Sequence, residues 1–196
     1  MKPCSPTRLV AVLRNFTHRS RRVAWWLGIV AVSMALLRGG ASAADSPTEY
    51  QVKAAFLLNF TKFVDWPAGE FAAPESPLNI CIEGGDPFGT FLDQIVAGEA
   101  VDGHKLVVSR VTRHPSTACQ VIFISSAEKD RAALVQALGP GVLTVSDGED
   151  FSRDGGIVAF VIDNRRVRFD INQSAAEKAG LKISSKLLTV ARSVAR

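Results

Sequence analysis

CQVIFISSAEKDRAALVQALGPGVLTVSD, residues 119–147, sets the class of the fold. Cys119–Ile124 is an almost continuous apolar run of strand length, the pattern of a strand covered on both faces of a sheet. Ala127–Leu138 reads as a helix, Gly139-Pro140-Gly141 ends it, and Val142–Val145 is a second buried strand. Strand, helix and strand in that order form a crossover unit, which joins parallel neighbours.

The alternation extends in both directions. Upstream, Glu49–Val64 spaces Val52, Phe56, Asn59/Phe60 and Phe63 by three and four, so it reads as an amphipathic helix capped by Thr48 and stopped before Pro67. Leu78–Ile82 is a short apolar strand, Gly84-Gly85-Asp86-Pro87 a turn, Phe88–Val96 a helix and Lys105–Val111 an alternating strand. Downstream, Gly148–Gly156 reads as polar loop. Ile157–Ile162 and Arg166–Ile171 flank Asp163-Asn164-Arg165 as a hairpin. Ser174–Ala179 is a short helix stopped by Gly180, and Ser184–Val194 reads as a last helix with Leu187, Leu188, Ala191 and Val194 on one face. The predicted fold is three-layer α/β/α, with a mainly parallel central sheet and an antiparallel hairpin near one edge.

Residues 1–43 read as an export signal peptide and residues 44–196 as one mature domain. The leader carries seven basic side chains (Lys2, Arg8, Arg14, Arg19, Arg21, Arg22, Arg38) and no acidic one. An apolar run from Val23 to Leu37 follows, then the A-x-A pattern Ala41-Ser42-Ala43. That run is shorter than the roughly 20 residues that span a bilayer. Cys4 precedes it and cannot be a lipid-anchor cysteine. Subtracting the leader's seven from 23 leaves 16 basic against 19 acidic side chains, a formal charge of −3. No basic stripe interleaved with aromatics remains, so a nucleic-acid partner is not expected.

The mature domain keeps Cys81 and Cys119, each within a strand-like run. In an oxidising compartment such a pair is expected to form a disulfide worth about 4 kcal/mol by loop closure. Two buried thiols are the alternative. Without a C-x-x-C spacing, and with only His104 and His114 left as imidazoles, zinc is not expected.

Motifs with chemistry are sparse. Gly84-Gly85-Asp86-Pro87-Phe88-Gly89 sits where nucleotide-binding turns sit but fits neither phosphate-binding pattern, and Pro87 removes a donor. Asp150–Gly155 begins like a calcium loop, yet the twelfth position is Val161 rather than glutamate. Ser146, Asp147, Ser125, Ser126 and the two histidines could serve a hydrolase only if the fold brought them together. No catalytic residue, metal ligand or cofactor is assigned. On the hairpin, alternation puts Arg166, Arg168 and Asp170 on one face and Val167, Phe169 and Ile171 on the other. The polar face is either a solvated edge with cross-strand ion pairs or a docking surface for an anionic partner.

Five segments in collinear order carry a resemblance: EYQVKAAFLLNFTKFVDWP (49–67), CIEGGDPFG (81–89), VLTVSD (142–147), GGIVAFVIDNRRVRFDIN (155–172) and AAEKAGLKISSKLL (175–188). Together they resemble the YfiR/HmsC-like family of bacterial periplasmic proteins, from about Glu49 to Arg192. The resemblance implies an α/β/α fold, a homodimer and a periplasmic location. It implies repression of an inner-membrane diguanylate cyclase through that enzyme's periplasmic region, which lowers cyclic di-GMP and biofilm output, and adds an outer-membrane-associated antagonist as a further partner. Cys81 and Cys119 stand where a family disulfide is expected, while a second pair found in some members has no counterpart. Family position points to Phe169, Asp170 and Ala176 for partner binding and to Lys182 and Ser184 for a small ligand. A ligand sensor without a cyclase partner is the second reading, and an α/β hydrolase the third.

Overall fold

The computed structural model describes residues 48–67, 69–112 and 118–196; the leader and His114 lie outside them. The order of elements is α1 (Glu49–Thr61), β1 (Val64–Asp65), β2 (Leu78–Glu83), α2 (Thr90–Val96), β3 (Ala100–Val101), β4 (His104–Val111), β5 (Val121–Ile124), α3 (Arg131–Ala137) and β6 (Leu143–Asp147). A 3₁₀ turn (Glu149–Ser152), β7 (Val158–Asp163), β8 (Arg166–Asn172), α4 (Gln173–Lys178), β9 (Lys182–Ile183), α5 (Ser185–Val190) and β10 (Ser193–Ala195) complete it. Among the described residues no helix is long and apolar enough to cross a membrane.

The main sheet has eight strands in the order β10-β8-β7-β6-β5-β2-β4-β3. Its middle five, β7-β6-β5-β2-β4, run parallel; β8 lies antiparallel to β7 and β3 antiparallel to β4, while β10 runs parallel to β8. The α/β class with a mainly parallel sheet is therefore as the sequence implies. A two-stranded ribbon, β1 with β9, lies apart from it.

Strand alternation sorts the core into two layers. Ile80, Ile82, Val121, Phe123, Leu143, Val145, Val158, Phe160, Phe169 and Ile171 face α1 and α2, where Ala54, Leu57, Phe60, Leu92 and Val96 meet them. Cys81, Ile122, Ile124 and Ala159 face the other way, toward Leu134 and Val135 of α3 and Leu138 just after it. Both faces are filled, which is why β5 reads as an unbroken apolar run. At the centre of the first layer, Phe169 packs edge-on to Phe56 and Phe60 with ring centroids 5.3 and 5.1 Å away.

Local chemistry explains most boundaries. Thr48 and Gln51 form a reciprocal capping box at the start of α1. The helix stops at Thr61, three residues sooner than its periodicity suggests, because Val64 and Asp65 leave to pair with Ile183 and Lys182. Before α2, the Asp86 carboxylate accepts from the backbone N–H of Phe88 and of Gly89, at 2.7 and 3.2 Å. That is an ordinary side-chain-closed turn. Helix α3 begins at Arg131 rather than Ala127, since Ser125 first closes a turn with the N–H groups of Ala127 and Glu128.

Two expectations fail. The 148–156 segment is not simply a polar loop: Phe151 is fully buried against the second core layer. Its ring lies so close to Gly156 that a Cβ there would sit 2.2 Å from it, so the glycine is required. The last helix also ends at Val190 instead of Val194. Residues 193–195 turn into β10, parallel to β8 with Ser193 opposite Asp170, because β8 offers an open ladder that outbids one more helical turn.

Candidate partner-binding surface

Strands β7 and β8 are joined by two residues, Asn164 and Arg165, at φ +48° and +61°. This left-handed pair matches the twist of a tight hairpin. Asn164 accepts that region readily; Arg165 does so at some cost. Register places Asp163 opposite Arg166 and Val161 opposite Arg168.

The cross-strand ion pairs of the solvated-edge reading do not form. Asp163 accepts from the Asn164 side-chain amide at 3.2 Å. Asp170 accepts from Arg192 through both carboxylate oxygens, one of them 2.9 Å from Nε, and Arg192 reaches Glu149 at 2.7 Å with its remaining nitrogen. Among the described residues Arg165, Arg166 and Arg168 stand in no ion pair, and all three are exposed. Ile162, 52% exposed, pairs with Val167 and so lies on the other face of the hairpin from Arg166 and Arg168. β10 covers β8 only from Asp170 to Asn172, so the part of β8 that carries Arg166 and Arg168 has no strand partner on that side.

Asp170 is 7% exposed, so its charge needs the bidentate partner. The hydrogen bonds that Arg192 donates to Asp170, and then to Glu149, raise its pKa above the ordinary guanidinium range. The Arg192 backbone N–H also donates to the Phe169 carbonyl at 2.8 Å. Asn172 caps α4 through the Ala175 N–H and donates its side-chain amide to the Ser152 carbonyl, at 3.0 and 2.9 Å. One brace thus ties β8, the 3₁₀ turn, α4 and β10 together behind the hairpin.

The five residues singled out from the sequence all fall on this β8–α4–β9–α5 stretch, but mostly below its surface. Phe169 and Ala176 are each 1% exposed and belong to the first core layer. Lys182 is exposed on β9 opposite Asp65. Ser184 is committed locally, its hydroxyl accepting from the Lys186 N–H at 3.3 Å as the cap of α5. Arg192, the residue that fixes Asp170, has no signal in the sequence: the helix expected there would have turned it outward.

A second polar cluster occupies the carboxyl end of β6. Lys53, 3% exposed, reaches Asp147 at 2.7 Å and also pairs with Glu49. The Tyr50 hydroxyl donates to the other Asp147 oxygen at 3.0 Å. Burial alone would push the Lys53 pKa down, but hydrogen bonds to Asp147 and Glu49 outweigh it and leave the pKa raised. The buried Ser146 hydroxyl donates to the Ile124 carbonyl at 2.6 Å. His104 lies at the amino end of β4, the opposite end of the parallel strands, so it forms no triad with Ser146 and Asp147.

These pairs carry a pH prediction. A raised lysine pKa stabilises the fold fully below the unfolded value of about 10.4 and ceases to do so as pH rises through the folded value. Lys53→Met should therefore cost about 3 kcal/mol at pH 8, by leaving the half-buried Asp147 without its cation. The gap from the unsubstituted protein should narrow above about pH 10.5, as urea unfolding at both pH values would register.

The two core layers disclose the disulfide as well. Cys81 on β2 is bonded to Cys119 just before β5, with Cα atoms 5.8 Å apart, beneath α3. Fold and surface together describe a disulfide-bonded α/β/α domain with an unneutralised basic hairpin at one side of its sheet. The chain belongs to the YfiR/HmsC-like family, whose sequence model matches residues 50–192, nearly the whole described domain. That family is periplasmic, regulatory rather than catalytic, and tied to diguanylate cyclase signalling. No curated protein matches the chain.

Proposed function

We propose that this protein is a periplasmic repressor that binds the periplasmic region of an inner-membrane diguanylate cyclase and holds it inactive, so lowering cyclic di-GMP. The observation that supports the reading best is the hairpin tip, where Arg165, Arg166 and Arg168 are exposed and, among the described residues, stand in no ion pair. A cluster of exposed like charges without partners of its own suits an interface with an acidic protein surface, where complementary charge steers and selects the partner. Repression then needs only differential affinity: the domain must bind the inactive arrangement of the cyclase more tightly than the active one.

In this reading Phe169, Asp170 and Ala176 act from behind. The phenylalanine anchors β8 to the core, the Asp170–Arg192 pair fixes the strand's outer face, and Ala176 seats α4. They position the hairpin instead of touching the partner. Homodimerisation, an outer-membrane-associated antagonist, and a ligand at Lys182 and Ser184 belong to the same proposal, with the ligand acting as a switch. The test is capture: immobilised protein should retain the periplasmic region of a diguanylate cyclase from the same cell, and R165E/R166E/R168E should retain less of it.

A further inference from the structure

At the opposite end of the sheet from the β6 cluster lies a hollow of about 270 Å³, between the end of β1, the segment that follows it and the β3–β4 turn. It is lined by Trp66, Phe71 and His104, by Leu78, and by Asp65 and Asp102. Two of the rings are held by hydrogen bonds. The Trp66 indole N–H donates to the Gln120 carbonyl at 3.3 Å. His104 Nδ1 lies 2.7 Å from the Ser76 carbonyl oxygen, which can only accept, so Nδ1 carries the proton. The imidazole stacks on Phe71 with centroids 3.7 Å apart and planes 13° from parallel. Asp65 and Asp102 are exposed, and among the described residues neither is in an ion pair. Lys182 faces Asp65 across the β1–β9 ladder without pairing with it.

From this juxtaposition we infer that the hollow binds a small organic cation through an alkylammonium head. Ring faces carry negative potential and attract cations that are themselves partly apolar, and the two carboxylates add long-range attraction. An anion would be repelled by the same carboxylates. A hard metal ion would want a shell of oxygens that rings do not supply. Because the ring planes are fixed before binding, little ordering cost remains. The chemistry is the reverse of a ligand held by Lys182, and it stands apart from the repressor reading, so either can fail alone. The ammonium head can come from a free metabolite or from a lysine side chain of another protein.

The experiment uses the full chain with Trp25→Phe and Trp26→Phe, which leaves Trp66 as the single indole. Its emission is followed during titration with choline, with the neutral carbon isostere dimethylbutanol, and with acetyl-lysine amide. Saturable change with choline or the lysine amide, and none with the alcohol, is the expected result. D65N and D102N should each weaken binding about fivefold without altering the melting curve; asparagine tolerates the left-handed φ of +50° at residue 102. Tighter binding of the lysine amide than of choline assigns the cation to a protein side chain, and the reverse order to a free metabolite. The inference is overturned if neither cation gives a saturable change, if the alcohol matches choline, or if both aspartate variants bind as the parent does.

Discussion

Phe169→Ala is expected to lower the unfolding free energy by about 4 kcal/mol, the typical cost of emptying a buried phenylalanine site. Phe169 is 1% exposed and wedged edge-on between Phe56 and Phe60, so the cavity would open where α1 meets β8. For a domain of this size the melting temperature should drop by about 12 °C. The same variant separates two roles. If Phe169 only anchors β8, capture of the cyclase region measured well below the new melting point should survive. Loss of capture by a folded variant would put the ring at the contact itself.

The second large effect concerns the Cys81–Cys119 bond, which closes a sequence separation of 38 residues. Loop closure of that length stabilises by about 4 kcal/mol in the chain-entropy account. C81A/C119A should therefore melt about 12 °C lower than the parent under oxidising conditions. Reductant should bring the parent to nearly the same temperature and leave the variant unmoved. Alanine is the informative replacement, because it leaves no polar group behind in the apolar layer formed by Ile122, Ile124 and Phe151.

Where the sequence was legible, burial explains it. The runs at 78–82, 121–124 and 143–145 read as strands because sheet centres covered on both faces are filled mostly by apolar side chains, with Asn79 and Thr144 the buried polar exceptions. Asn164 marked the hairpin because few residues accept its backbone region. The misreadings have the opposite cause. The apolar spacing of Leu187, Leu188, Ala191 and Val194 satisfies a helix, yet Val194 reaches the same core from β10, since both periods can deliver a side chain to one layer. Phe151 was lost among polar neighbours because a single ring in a loop carries no period.

The site was legible only in outline. Sequence placed arginines on one face of β8, and they are there. It could not show that Asp163 and Asp170 are spoken for, the latter by an arginine 22 residues downstream, and so could not show that the hairpin charge is unneutralised. Phe169 and Ala176 were singled out by family position, which does not separate a residue that touches a partner from one that holds the touching strand in place. The Lys53–Asp147–Tyr50 cluster joins α1 to β6 across about ninety residues, and no local pattern links them.

In the proposed function this domain acts by gripping an acidic surface on the periplasmic region of a diguanylate cyclase. Calorimetric titration of the full chain with that region, at low and at physiological salt, tests it most directly. Saturable binding that weakens with salt, and that R165E/R166E/R168E weakens about tenfold or more while melting as the parent does, is the predicted result. Absence of binding at either salt concentration, or equal affinity for the triple variant, would contradict it.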